Sequence, residues 1–271
     1  MELKGKTAFI TGGGGGIGSG IAEAFLEKGM RCVLTDIDLG YAEAEAMRLG
    51  KGTIALRHDV TSLESWAAAR EAAMKRFGAI DVLCNNAGIA TAREPLDQVS
   101  PEMFARVMAI NITGVYNGIH TFAPEMRARR SGHIVNTSSL NGLLAYATFG
   151  AYSASKFAVT GLSDALRDEL APFGVGVSVL FPGLTRSRMS TSPVTGAQPN
   201  EIAAQNLAAN MMEPVWLGRQ VATAIEENLP YIISHPVYRP ALEERYKRVL
   251  DAFGAPAQPG FPAAPGFEAG N

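Results

Sequence analysis

Short runs of apolar, β-branched residues recur along this chain, and between them lie longer stretches whose apolar positions fall three and four residues apart. The short runs predict buried strands over residues 7–11, 32–36, 53–59, 80–85, 133–138 and 176–181. In the longer stretches Ile21, Phe25 and Leu26 share one helical face, as do Val159, Leu162, Leu166 and Leu170. Strands this apolar need cover on both faces, which helices supply when they carry the chain between parallel strands. The pattern therefore predicts an α/β fold: a doubly wound, Rossmann-like parallel sheet in a single domain. That domain should span residues 1–253, with a Pro/Gly-rich tail at 254–271 that either stays disordered or crosses a neighbouring subunit. The small polar residues at 190–200, ahead of a helical stretch at 201–228, read either as part of a substrate lid around 188–228 or as a passive surface loop.

Composition narrows the class. Hydrophobic residues make up 47% of the 271 and charged residues 18%, which is enough apolar material for a substantial core. A net charge of −2 argues against nucleic acid as the main partner. The cluster Arg127, Arg129 and Arg130 reads as a solvated helix end. No run reaches the roughly 20 apolar residues of a membrane span, and the N-terminus lacks the pattern of a secretory signal. Cys32 and Cys84 lie in strand-like runs and read as free, buried thiols, which suits a reducing cytoplasm. The four histidines, His58, His120, His133 and His235, show no ligand spacing, so no metal site is expected.

Two places carry candidate chemistry. The first predicted strand runs into a glycine-rich turn and then a helix, an arrangement that brings backbone N–H groups up to a pyrophosphate. Five consecutive glycines leave the register open. Gly13, Gly15 and Gly18 satisfy G-x-G-x-x-G, while Thr11, Gly12, Gly16, Ile17 and Gly18 satisfy T-G-x-x-x-G-I-G, with Gly14 and Gly15 inside the turn either way. The second strand ends at Asp36, 18 residues after Gly18, where a carboxylate can accept both hydroxyls of an adenosine ribose. It would repel a 2′-phosphate by up to about 4 kcal/mol at 4 Å, and neighbouring Ile37 offers no compensating cation, so NAD is expected over NADP. Asp36 or Asp38 serving only as a helix cap is the alternative. Asp59, followed by Val60, is a second edge carboxylate that either meets the adenine amino group or is simply a solvated strand end.

At the other place, Tyr152 and Lys156 stand one helical turn apart on one face. An ammonium near a phenol favours the phenolate, so the tyrosine could exchange a proton nearer neutral pH. Ser138 and Ser139 end the fifth strand, at the carboxyl edge where such sheets bind ligands, and a serine there could steady a substrate oxygen.

Taken together these motifs resemble the short-chain dehydrogenase/reductase family in its one-domain form, over about residues 3–190. Thr11-Gly12-x-x-x-Gly16-Ile17-Gly18 matches that family's cofactor turn and selects the second register. Asn85-Asn86-Ala87-Gly88 matches its NNAG segment, Pro182-Gly183 the turn after the sixth strand, and Tyr152-x-x-x-Lys156 the catalytic pair. Ser139, 13 residues before Tyr152, is preferred to Ser138 on the family's usual separation, and Asn111 matches the family asparagine credited with holding a proton-relay water. The resemblance implies an NAD-dependent alcohol dehydrogenase or ketone reductase acting on a small molecule, with Tyr152 as proton donor and acceptor. One position departs from the family pattern. After Pro-Gly the sequence is Leu184-Thr185-Arg186-Ser187, so either Ser187 or Thr185 would take the place of the threonine that touches the nicotinamide.

The substrate is less legible. Leu140, Asn141, Leu143, Leu144, Tyr146, Phe149, Leu184, Met189, Met211 and Met212 are candidate pocket residues and mostly apolar, which suggests a neutral, hydrophobic secondary alcohol or ketone. The stretch 213–253 also resembles bacterial dehydrogenases that oxidise the benzylic alcohol of lignin-derived aryl ethers, which leans the expectation towards an aromatic substrate. Competing readings are an NADPH-dependent carbonyl reductase of acyl or polyketide-like substrates, a catalytically silent NAD sensor, and sugar-nucleotide epimerase chemistry. The family also implies a homo-oligomer, a dimer or homotetramer, pairing the helices at 101–129 and 152–173.

Overall fold

The computed structural model describes residues 1–187 and 211–253. Seven parallel strands form one sheet: β1 (Thr7–Thr11), β2 (Arg31–Asp36), β3 (Thr53–Arg57), β4 (Val82–Asn85), β5 (Gly132–Thr137), β6 (Val175–Phe181) and β7 (Tyr231–Ile233). Their order is β3-β2-β1-β4-β5-β6-β7, so the winding reverses between β1 and β4 and opens a crevice at the carboxyl ends of the strands. All six predicted strands form. β3 stops two residues short of its predicted end, because the Asp59 carboxylate accepts from the Thr61 N–H at 2.9 Å and turns the chain. The hydrophobic pattern does not predict β7. It has three residues with only Ile232 buried, and its strand character comes from pairing with β6.

Among the described residues the α-helices are α1 (Gly16–Glu27), α2 (Leu39–Leu49), α3 (Leu63–Phe77), α4 (Pro101–Met108), α5 (Gly114–Arg129), α6 (Gly150–Leu170), α7 (Pro214–Glu227) and α8 (Arg239–Asp251). Side-chain caps start three of them: Asp38 accepts from the Gly40 N–H, Ser62 from Ser65, and Ser100 from Met103. The stretch at 101–129 is not one regular helix; Ala109–Thr113 forms a π-helical segment between α4 and α5, and Asn111 lies in it. Arg127, Arg129 and Arg130 also do more than face solvent. Arg129 donates to the Ser131 and Ile80 carbonyls, Arg130 donates to the Pro172 carbonyl, and Arg127 lies over the Phe173 ring.

Two apolar layers cover the sheet. On one face Ile21 and Phe25 of α1 pack with Leu217, Val221 and Ile225 of α7 against Ile10, Leu34 and Cys84. On the other, Trp66, Phe122, Val159 and Leu166 pack on Phe9, Val33, Leu83 and Ile134. Cys32 and Cys84 are free and fully buried, and burial pushes both thiols well above their ordinary range. The chain divides into two compact units, Met1–His235 and Pro236–Asn271. In the second unit α8 buries no residue. Of the lid expected around 188–228, residues 188–210 lie outside the described residues, and 214–227 is α7, whose apolar face belongs to the core. Among the described residues no helix is long and apolar enough to cross a membrane.

Helices α1 and α7 cross at glycine. A Cβ on Gly218 would come 2.2 Å from the Gly20 carbonyl oxygen, and one on Gly20 would come 2.3 Å from the Pro214 carbonyl carbon. Gly218→Ala is therefore expected to cost about 1–3 kcal/mol through a backbone clash, outweighing alanine's better helix propensity. Gly161→Ala in α6, whose Cβ meets open space, should be neutral or stabilising by up to about 1 kcal/mol. Urea unfolding of the two variants checks the contrast.

Burial also sets an acid limit. Desolvation pushes His58 down to about 4 and His133 down to about 3, so the fold holds both neutral while the unfolded chain protonates them near 6.5. Their contribution is full above about pH 6.5 and is lost as pH falls towards 4 and then 3, by about 1.4 kcal/mol per unit for each histidine. His133→Gln should make urea midpoints measured between pH 7 and 5 visibly less pH-dependent.

Candidate active site

The crevice between β1 and β4 is built by Thr11. Its hydroxyl accepts from the Asn86 and Ala87 N–H groups at 2.9 Å, and the Asn86 amide donates to the Thr11 carbonyl at 3.1 Å. The NNAG segment is thereby pinned to the glycine turn. Gly12 has φ +63° and Gly16 φ +57°, and a Cβ on Gly18 would lie 2.3 Å from the Gly12 carbonyl oxygen. Only glycine lets the turn close this tightly. Helix α1 then begins with neither a side-chain cap nor an acidic residue in its first turn, so its N-terminal N–H groups and positive dipole end are presented for an anion.

Asp36 is buried at the end of β2, and its carboxylate accepts from the Gly14 N–H at 3.1 Å and from the Asp38 N–H at 3.2 Å. Capping of α2 falls to Asp38 instead, which accepts from Gly40 at 2.9 Å. Ile37 is exposed beside Asp36. Asp59 is held by Thr61, whose hydrogen bonds keep its carboxyl below the usual range. Val60 is buried, and its carbonyl accepts from Trp66 and Asn117.

The second cluster forms where β5, the π segment and α6 meet. Lys156 is buried and donates from Nζ to the Thr137 carbonyl at 2.9 Å, with its ammonium 5.6 Å from the centre of the Tyr152 ring. Burial pushes the lysine down to about 8. It also pushes the Tyr152 phenol up, against a hydrogen bond with Ser139 that pulls the other way. In the protein alone desolvation of the phenol thus wins over the lowering expected from Lys156.

Asn111 bridges two neighbours. Its amide donates to the Ile89 carbonyl at 2.9 Å and to Ser155 Oγ at 3.0 Å, while its side-chain oxygen accepts from the Ile89 N–H at 2.9 Å. Gly88 sits between Asn111 and Lys156: a Cβ there would lie 3.2 Å from one and 3.4 Å from the other.

The two candidate serines separate cleanly. Ser138 is spent on structure, donating to the Lys156 carbonyl at 2.8 Å and meeting Thr160 at 3.1 Å. Ser139 turns to Tyr152, and its Oγ accepts from the Asn141 N–H at 3.1 Å. Nearby, Phe149 lies 6.5 Å from the Tyr152 ring and carries the Arg93 guanidinium 5.1 Å above its face. Leu140 and Leu144 are buried and Tyr146 is exposed. Met212 packs against the main core; Met189 lies outside the described residues.

After β6, Thr185 is buried and its hydroxyl donates to the Gly183 carbonyl at 3.2 Å. Ser187 instead lies against the glycine turn, where a Cβ on Gly16 would come within 2.7 Å of it. Arg186 is paired with Glu213 at 3.0 Å. Sequence reasoning missed Ser234, whose hydroxyl accepts from the Gly183 N–H at 3.0 Å. A polar residue directly after a short apolar run was the signal available, and it is a weak one.

A glycine-lined crevice at the switch point, with a Tyr/Lys/Ser cluster facing it, defines a dinucleotide-binding α/β protein. The family pattern described as short chain dehydrogenase matches residues 6–197, and the chain belongs to that family of oxidoreductases. It is 39% identical over 208 residues to an uncharacterized oxidoreductase of Mycobacterium bovis, covering 76% of this chain and 82% of the relative. It is 31% identical over 268 residues to the C alpha-dehydrogenase of a Sphingobium species, covering 93% and 87%. That match takes in the C-terminal stretch on which the likeness to aryl-ether dehydrogenases rests. A short-chain dehydrogenase/reductase of Burkholderia phymatum, solved in complex with NAD, superposes with a TM-score of 0.83 at 31% identity, over 95% of this chain and 99% of that one.

Proposed function

We propose that the protein is an NAD-dependent dehydrogenase or reductase that interconverts a hydrophobic, aromatic secondary alcohol and its ketone. The observation that carries this reading is the buried Lys156 ammonium between the Thr137 carbonyl and the Tyr152 ring, next to Gly88 of the segment that Thr11 pins to the glycine turn. The residues fit a dinucleotide. Gly12, Gly14, Gly15, Gly16, Ile17 and Gly18 would hold its pyrophosphate against the start of α1, and Asp36 its adenosine ribose. Ile37, Asp59 and Val60 would border the adenine. Asn86, Ala87 and Gly88 would line the middle of the site, with Pro182, Gly183 and Ser187 at the nicotinamide end. Ser187 is favoured over Thr185 because it lies against Gly16 of the glycine turn. Bound there, NAD would supply the hydride acceptor, and its reduced form the donor.

The chain's own residues supply the rest. Tyr152 would exchange the substrate's hydroxyl proton, and Ser139 would hold the substrate oxygen beside it. Lys156 would bind the nicotinamide ribose and favour the phenolate. Lowering a phenol by three units takes about 4 kcal/mol, and the buried cation is the nearest source of it. Asn111, fixed by Ile89 and Ser155, would position a relay water next to Lys156. The apolar side chains of Leu140, Leu144, Phe149 and Tyr146 favour an aromatic body on the substrate. The similarity to the C alpha-dehydrogenase points the same way. Pairing of the α4–α5 and α6 faces would make a homo-oligomer, consistent with the exposed Phe104 and Tyr116.

The test is absorbance of reduced nicotinamide during a screen of benzylic and aliphatic secondary alcohols, with NAD and NADP in parallel. Turnover is expected with NAD and should fall at least about a hundredfold in Tyr152→Phe. Faster turnover with NADP, or an unaffected Tyr152→Phe, would count against the reading. Asp36→Ala should raise KM for NAD and narrow the preference over NADP by about tenfold or more, since it removes both the ribose acceptor and the repulsion of a 2′-phosphate.

A further inference from the structure

The turn that follows β6 is held from outside the recognised motifs, by the two residues that follow β7. Ser234 is buried. Its hydroxyl accepts from the Gly183 N–H at 3.0 Å, lies 3.3 Å from the Phe181 carbonyl oxygen and 2.6 Å from Nδ1 of His235. The His235 ring occupies the space a side chain at 183 would need: a Cβ on Gly183 would lie 2.5 Å from Nδ1. The same imidazole hydrogen-bonds the Leu184 backbone. Two side chains therefore hold the backbone of the turn at successive residues, Gly183 and Leu184.

What the grip controls lies just downstream. The Leu184 carbonyl accepts from the Met212 N–H, and the Arg186 N–H donates to the Met212 carbonyl, both at 3.0 Å. These bonds carry the chain on to Ser187, which rests against Gly16 of the glycine turn. Position 183 thus sets where residues 185–187 stand relative to the site.

We propose that Ser234 and His235 are positioning residues that clamp the Pro182–Leu184 turn against the nicotinamide end of the cofactor site. The assignment rests on the reading that this crevice binds NAD. The hydrogen-bonding chemistry is directional. The Ser234 hydroxyl accepts from Gly183 and can give its one proton to the Phe181 carbonyl or, when the imidazole is neutral and bare at Nδ1, to His235. Burial holds His235 below its usual range and so favours that form. Gly183 fits the same logic, because any larger residue would displace the ring.

The experiment uses two ligands that share every part of the cofactor except the nicotinamide end. NADH is titrated by its fluorescence enhancement and ADP-ribose by calorimetry, on the wild type, Ser234→Ala, His235→Leu and His235→Asn. His235→Leu should weaken NADH about tenfold and reduce its enhancement at saturation, while ADP-ribose affinity stays within about twofold. His235→Asn keeps an amide donor and acceptor and should recover most of the NADH affinity. Unchanged NADH binding in His235→Leu would overturn the clamp while leaving the NAD reading intact. Equal weakening of both ligands would overturn it in favour of a general structural role. A wild type that binds neither ligand would bring down the NAD reading, and the clamp with it.

Discussion

The buried ammonium of Lys156 is the constraint around which the reactive end of the molecule is arranged. Taking such a charge out of water costs several kcal/mol unless polar partners replace the lost hydration. Here the Thr137 carbonyl provides the direct contact, and the Tyr152 ring lies beside it. That partner exists only because β5 ends where it does, and Lys156 reaches it only because α6 packs across that strand end. Burial pushes the lysine down to about 8, and its ammonium nitrogen stays 5.6 Å from the centre of the Tyr152 ring. Tyr152, Asn111 and Gly88 are placed by the same convergence, each on a different element.

At the other end of the crevice the controlling quantity is distance between backbones. Gly18 against Gly12, Gly218 against Gly20 and Gly183 against His235 are all contacts in which an added methyl group would overlap its neighbour. The first brings the glycine turn onto the start of α1, and the second seats α1 against α7, which in turn fixes the helix whose N-terminus faces the crevice. The third lets the edge of the sheet hold the turn after β6. Close approach of this kind trades chain entropy for position. The structure spends it where main-chain groups, not side chains, line the site.

Much of this was readable before any coordinates. Six of the seven strands follow from apolar runs because strands buried on both faces have no polar alternation to obscure them. Spacing alone put Tyr152 and Lys156 on one helical face, and resemblance to the family selected one register from five ambiguous glycines. Less could be read where a segment owes its form to its partner. β7 is three residues long and is a strand only by pairing with β6. The π segment around Asn111 is a distortion within a continuous helical pattern, with no composition of its own. The Arg127–Arg130 cluster looked solvated because charge says nothing about which carbonyls lie within reach.

Resemblance to the family picked out Ser139 and Asn111; by itself the amino-acid sequence determined the α/β class, the glycine turn, the acidic end of β2 and the one-turn spacing of Tyr152 and Lys156. These depend on local periodicity and on residue chemistry, both of which are written one position at a time. Tertiary structure decided which of two adjacent serines faces Tyr152, that Asp38 and not Asp36 caps α2, and that Ser234 and His235 reach back to Gly183. It also decided that burial, not Lys156, dominates the Tyr152 phenol in the protein alone. Each of these turns on groups far apart in the chain coming within hydrogen-bonding distance or losing contact with water, and neither is a property of any short stretch of sequence.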